Sequence, residues 1–116
     1  MPRSPFPPEK SRLPEVTDKT FDETLKKHRL AVVSVRADWC GYCPAIAPTV
    51  DAIAKDHAGT VGVFRMDLDA NEKMARKLKV KAVPTVLFFR SGKLVGSTVG
   101  ANSAAILGQL KKLLKR

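Results

Sequence analysis

A central mixed β-sheet covered by helices on both faces is the fold class this 116-residue sequence predicts. Short apolar runs rich in β-branched residues recur at residues 30–36, 61–67 and 83–89, each of strand length. Stretches with helical apolar spacing separate them, the pattern that winds a sheet between two layers of helix. The third run is followed, across the turn Arg90-Ser91-Gly92-Lys93, by a return strand at 94–99, which adds an antiparallel hairpin. The order is α, β, α, β, α, β, β, α, with a further short strand near residues 13–16, and there are no internal repeats.

Taken in order, residues 1–14 carry five prolines and no apolar h-region, so they read as a flexible Pro-rich lead-in to a domain at 15–116 rather than as a secretory signal. The first helix opens at Val16-Thr17-Asp18, capped by Thr17 or Asp18, with Phe21 and Leu25 inward and a basic end at Lys26-Lys27-His28-Arg29. After the strand at 30–36, a helix runs from residue 45 to about 57 with Ile46, Val50 and Ile53 on one face. Pro48 lies inside it, where it removes a hydrogen bond and bends the axis. Gly59 marks its exit. Asp69 or Asn71 caps a helix over about 71–78 with Met74, Ala75 and Leu78 inward, and residues 79–82 connect it to the third strand. Pro84 stands at that strand's start, a position a strand tolerates. Gly100 breaks the last strand, and Asn102 or Ser103 caps a final helix with Ile106, Leu107, Leu110, Leu113 and Leu114 on one stripe.

Composition bounds the function. Hydrophobic residues make up 44% and charged residues 28%, ordinary globular values. No apolar run approaches membrane-spanning length. The two cysteines are three residues apart and close too short a loop to brace a fold, so a reducing compartment, the cytoplasm, is expected. The net charge of +10 gathers at Lys73, Arg76, Lys77, Lys79 and Lys81, and again at Lys111, Lys112, Lys115 and Arg116. Such clusters form either an electrostatic surface for an acidic protein or nucleic acid, or solvated helix faces. No aromatic residues interleave with the lysines as base-stacking surfaces require, so nucleic acid is not the expected partner.

Both cysteines lie in Trp39-Cys40-Gly41-Tyr42-Cys43-Pro44, between the first predicted strand and the helix behind it. That junction puts the first sulfur near a helix N-terminus, where amide groups and the dipole favour a thiolate. The second cysteine is expected one turn in, on the same side. The pair suits a disulfide that opens and closes. The competing reading is half a zinc site, which only His28 and His57 could complete, and neither has zinc-motif spacing. No metal and no cofactor beyond the cysteine pair are expected.

Four features, in order and at fitting spacing, resemble the thioredoxin family over roughly residues 15–115: Trp39-Cys40-x-x-Cys43 after a strand, Pro48 in the next helix, Val83-Pro84-Thr85 before a strand, and Val99-Gly100-Ala101 before the last helix. The resemblance implies a thioredoxin fold and a thiol–disulfide oxidoreductase acting on protein disulfides as a monomer, with electrons from a partner such as thioredoxin reductase. It implies that Cys40 is the exposed nucleophile and Cys43 the more buried resolving thiol. Trp39, Gly41 and Tyr42 would shape the site, although Trp39 could also be a core residue. Pro84 would be a cis proline facing Cys40, with Val83 offering its main chain to an extended substrate and Gly100 lining the same groove. An ordinary trans proline and a plain glycine turn are the alternatives.

The departures bear on activity. Ser34 occupies the position of the buried acid that helps deprotonate the resolving cysteine in thioredoxins, and a hydroxyl is no general base near neutral pH. Arg36 stands where an aromatic residue is usual, and its charge either favours the Cys40 thiolate or extends into solvent. Gly41-Tyr42 replaces Gly-Pro between the cysteines, and Pro44, where a lysine is common, leaves the first helical turn one donor short. Tyr42 is similar to the Pro-Tyr pair of glutaredoxins, but Trp39 and the chain length argue against that branch. A thioredoxin-type reductase is the leading expectation; a binding module that uses the basic surface for an acidic protein or nucleic acid is the alternative.

Overall fold

Strand β1 (Leu30–Arg36) is flanked in the sheet by β2 (Gly62–Asp67), parallel to it, and by β3 (Thr85–Arg90), antiparallel. The computed structural model describes residues 13–115 and gives a four-stranded sheet in the order β2-β1-β3-β4, with β4 (Lys93–Val99) antiparallel to β3 at one edge. At the other edge Arg65 donates its amide to the Pro14 carbonyl, and Val16 donates to the Arg65 carbonyl. Glu15 thereby pairs with Arg65 at the short first strand expected near 13–16. Most of the expected Pro-rich lead-in lies outside the described residues.

Alternation along β1 fills two cores. Leu30 and Val32 join Val63, Val86 and Phe88 beneath α2 (Cys43–Asp56) and α4 (Ser103–Leu114), which contribute Ile46, Val50, Ile53, Ile106, Leu110 and Leu113. Ala31, Val33 and Val35 join Phe64, Met66, Leu87 and Phe89 on the opposite face, where α1 (Phe21–Lys26) brings Phe21 and Leu25 and α3 (Glu72–Lys77) brings Met74. Phe21 meets Phe89 edge to face at 5.5 Å between centroids, a favoured aromatic geometry.

Several expectations shift. The first helix begins at Phe21 after Thr20 rather than at Thr17 or Asp18, because residues 17–20 form a turn in which the Thr17 amide donates to the Thr20 hydroxyl. Asp18 has another task. Its carboxylate accepts the Met74 amide at 2.8 Å while its own amide donates to Asn71 Oδ1, also at 2.8 Å. The N-terminus of α3 is thus capped by a residue from the start of the chain, and neither Asp69 nor the Asn71 side chain caps it. Asn71, buried, ties back to the Asp67 carbonyl instead. Helix α2 starts at Cys43, not 45, and β3 starts at Thr85, one residue after Pro84. On α4 only Ile106, Leu110 and Leu113 are buried. Leu107 and Leu114 face outward, because the apolar stripe is wider than the sheet face α4 covers. Ser91 and Gly92, both at positive φ, make the expected hairpin turn.

Replacing Asp18 with Ala should cost about 1 kcal/mol, the usual worth of an N-cap, while Asp18→Asn, which keeps an acceptor, should cost less than half of that. Urea denaturation of the three proteins checks this; equal stability of the Ala variant and the parent would rule out the cap.

Candidate active site

The site forms where β1 runs out. Its last residue, Arg36, gives its carbonyl to the Leu68 amide at 2.8 Å, and the buried Ala37 accepts the Cys40 amide at 3.1 Å. The chain turns through Asp38 and Trp39 and enters α2 at Cys43. Cys40 and Cys43 are joined in a disulfide with Cα atoms 5.5 Å apart. Cys43 is the first helical residue rather than one turn in, and Pro44 behind it occupies the first turn, where no amide hydrogen is needed.

Around the sulfurs, Ala37, Cys40 and Cys43 form a small apolar cluster of their own, with Leu68 and Val83 packed against it. Cys40 is 8% exposed and Cys43 6%. The expectation of an exposed first cysteine and a more buried second one is therefore not met in the disulfide form, because the same cluster covers both. What separates them is chain position: Cys40 lies in the loop ahead of the helix, Cys43 within its first turn.

Two distant segments meet beside the cysteine cluster, residues 83–84 and Gly100. The Val83–Pro84 peptide bond is cis, Pro84 is buried, and its carbonyl accepts the Gly100 amide at 2.8 Å. Gly100 has φ of 94°, which glycine adopts without strain, and its own carbonyl accepts from Asn102. Val83, half-buried, thus touches the cysteine cluster from the segment that Gly100 secures. On the outer side Trp39 is 65% and Tyr42 73% exposed. Trp39 is a surface residue and not a core one. Gly41 lies between them with open space around it.

Asp69 completes this rim. Its Oδ2 accepts the Trp39 indole N–H at 2.7 Å. From sequence Asp69 reads only as a candidate helix cap; the parallel pairing of β2 with β1 brings the residues after β2 to the same end of the sheet as the cysteine loop.

Ser34 is 7% exposed and sits on the α2 face of β1, one residue from Val33 and Val35, which face the other core. Its row across the sheet reads Arg65, Ser34, Val86 and Thr98. No carboxylate belongs to that row. Arg36, half-buried, pairs in register with Asp67 at the end of the same face. Neither histidine joins the cysteines: His28 meets Phe64 edge to face, and His57 ends α2. Among the described residues no three His, Cys, Asp or Glu side chains gather as a metal group would require, and no helix there is long and apolar enough to cross a membrane.

Comparison with known proteins agrees with this geometry. The thioredoxin family model matches residues 12–112. Thioredoxin of Mycobacterium tuberculosis is 35% identical over 108 residues, covering 91% of this chain and 93% of that protein. The chloroplastic M-type thioredoxin of Pisum sativum is 35% identical over 95 residues, 81% of this chain but 55% of that one. A bifunctional thioredoxin reductase/thioredoxin of Mycobacterium leprae is 36% identical over 94 residues, 80% of this chain and 20% of that protein. Among solved structures, oxidized mitochondrial thioredoxin 3 of Saccharomyces cerevisiae superposes with a TM-score of 0.83 at 26% identity, covering 89% of this chain and 97% of the other. A family model running over nearly all the described residues, and a mycobacterial relative matched along almost its whole length, lead to one conclusion: the chain belongs to the thioredoxin family of thiol–disulfide oxidoreductases.

Proposed function

We infer that this protein works as a reductase of protein disulfides, with Cys40 as nucleophile and Cys43 as resolving thiol. The observation that carries the reading is the Cys40–Cys43 disulfide at the β1–α2 junction, beside an exposed Trp39 and packed by Val83 next to the cis Pro84. In the dithiol form the Cys40 thiolate attacks one sulfur of a substrate disulfide. A Cys40–substrate bond forms, and the displaced sulfur leaves as a thiolate that takes up a proton. Cys43, as thiolate, then attacks Cys40 Sγ, closing the disulfide and releasing the second substrate thiol. Two electrons pass to the substrate, and a partner reductase returns them; the fusion of the two activities in the M. leprae relative supports a thioredoxin reductase in that role.

Chain position supports the division of labour. Cys40 lies ahead of the helix, where the α2 N-terminus favours the thiolate that attacks and later leaves. Cys43, buried in the first turn, is placed to reach Cys40 and little else. Val83 beside the cis Pro84 would pair main chain with an extended substrate. Trp39, Gly41 and Tyr42 would cover the substrate's other side. The cycle needs a compartment that supplies reductant, as the cytoplasm does, and one copy of the chain contains the whole site, consistent with a monomer. The alternative of a binding module leaves the cysteine pair without a purpose.

Ser34 sets a limit on the resolving step, since nothing with carboxylate basicity stands on its row of the sheet. Ser34→Asp should raise the rate of the Cys43 step at pH 7 by about tenfold or more, while costing about 2 kcal/mol or more of stability for a buried carboxylate. Rapid-quench kinetics with thermal melting check both; a faster step without the stability loss would mean that the residue is not buried as described.

The protein should reduce insulin disulfides with dithiothreitol as electron source. Cys40→Ser should abolish this, and Cys43→Ser should trap a mixed disulfide. Wild-type turnover no greater than that of Cys40→Ser would overturn the reductase reading.

A further inference from the structure

A pocket of about 320 Å³ is lined by Leu68 and Asp69 after β2, by Glu72, Ala75 and Arg76 of α3 and by residues 79–81 in the loop that follows. It adjoins the cysteine site twice: Leu68 packs on the cysteine cluster, and Asp69 holds the Trp39 indole. Leu68 and Val80 give it apolar wall, and Arg76, Lys79 and Lys81 give it cations. Its lining also holds two carboxylates: Glu72 stands 4.0 Å from Arg76, and Asp69 keeps its charge while accepting from Trp39 at 2.7 Å, so with Lys79 and Lys81 the lining carries one positive charge in excess. Lys79 and Lys81 are exposed, and among the described residues neither has a carboxylate within ion-pair distance.

Lys79 carries a second, independent observation. Its φ is 60°, the left-handed region that favours glycine. The Val80 amide donates to the Ala75 carbonyl at 2.8 Å and the Lys79 amide to the Arg76 carbonyl at 3.1 Å, which closes α3 in a Schellman motif with Lys79 at its glycine position. A β-carbon is unfavourable there. The chain therefore holds a cation on the pocket rim against its backbone preference, the kind of outlier that points to function.

We propose that this pocket is a subsite for acidic residues flanking the disulfide of the protein substrate, with Lys79 and Lys81 pairing their carboxylates. The inference rests on the reductase reading and specifies its substrate class: proteins whose reducible cysteine is followed or preceded by Asp or Glu. The rim meets the cysteine site through Leu68 and Asp69, so residues flanking a substrate sulfur bonded to Cys40 are within the proposed subsite's reach. Exposed charge pairs are individually weak and salt-screened. The subsite therefore selects among substrates and leaves the sulfur chemistry to the cysteines.

The test uses the full chain, reduced beforehand, and two synthetic peptides with one disulfide each. They differ only in whether Asp-Glu or Asn-Gln flanks one cysteine. Single-turnover rate constants are read by acid quench and chromatography. At low ionic strength the acidic peptide should react roughly fivefold faster, falling below about twofold in 0.5 M salt. In Lys79→Gly/Lys81→Gln the ratio should approach one, with a melting temperature no lower than the parent's, because glycine suits the backbone at 79. Equal rates for the two peptides with the parent at low salt, or an undiminished ratio in the double variant, would overturn the subsite while leaving the reductase reading intact. If neither peptide is reduced, both readings fall together.

Discussion

Burial of β1 on both faces is the constraint on which the remaining structure depends. Strands paired on both sides and covered above and below have no solvent-facing positions, so residues 30–35 must be small or apolar throughout, and they are. Because the strand is satisfied everywhere along its length, its C-terminal end is fixed in space, and the loop that follows begins from a rigid point. The cysteine pair occupies that loop. Parallel β2 ends at the same edge and delivers Leu68 and Asp69; antiparallel β3 begins there and delivers Val83 and Pro84. The site is thus assembled from strand ends, and each contributor is held by a core that does not take part in the chemistry.

The one buried polar residue of β1 is Ser34, at the level where the resemblance to thioredoxins calls for a buried acid. A carboxylate there would cost stability through desolvation and return it as basicity toward Cys43. A serine avoids that cost and forgoes the basicity. The chain keeps the cysteine pair of its family with a serine, and no carboxylate, on that row of the sheet.

Much of this was legible in the sequence because the periodicities are clean. The β-branched apolar run at 30–36, the alternation in 61–67, the Ser91-Gly92 turn and the helical stripes set out the order of elements, and the cysteine motif with Pro84 and Gly100 located the site. What escaped depends on long-range pairing. Asp18 caps a helix more than fifty residues away, which no local window reveals. Leu107 and Leu114 continue an apolar stripe past the area the sheet can cover. The near-equal burial of Cys40 and Cys43 follows from Leu68 and Val83, contributed by the loops after β2 and before β3. Asp69 and the left-handed Lys79 became meaningful only once the topology set Asp69 against Trp39 and Lys79 in the same pocket as Asp69.

The central claim is that Cys40 and Cys43 form the working couple and that no buried acid deprotonates Cys43. The most direct measurement is the pH dependence of the second step alone, the release of 5-thio-2-nitrobenzoate from its mixed disulfide with Cys40 as Cys43 attacks. The account predicts a rate that climbs roughly tenfold per pH unit between about pH 6 and pH 8, following the thiolate fraction of an unassisted thiol. A rate already level across that range would contradict it, since a built-in base would then be present.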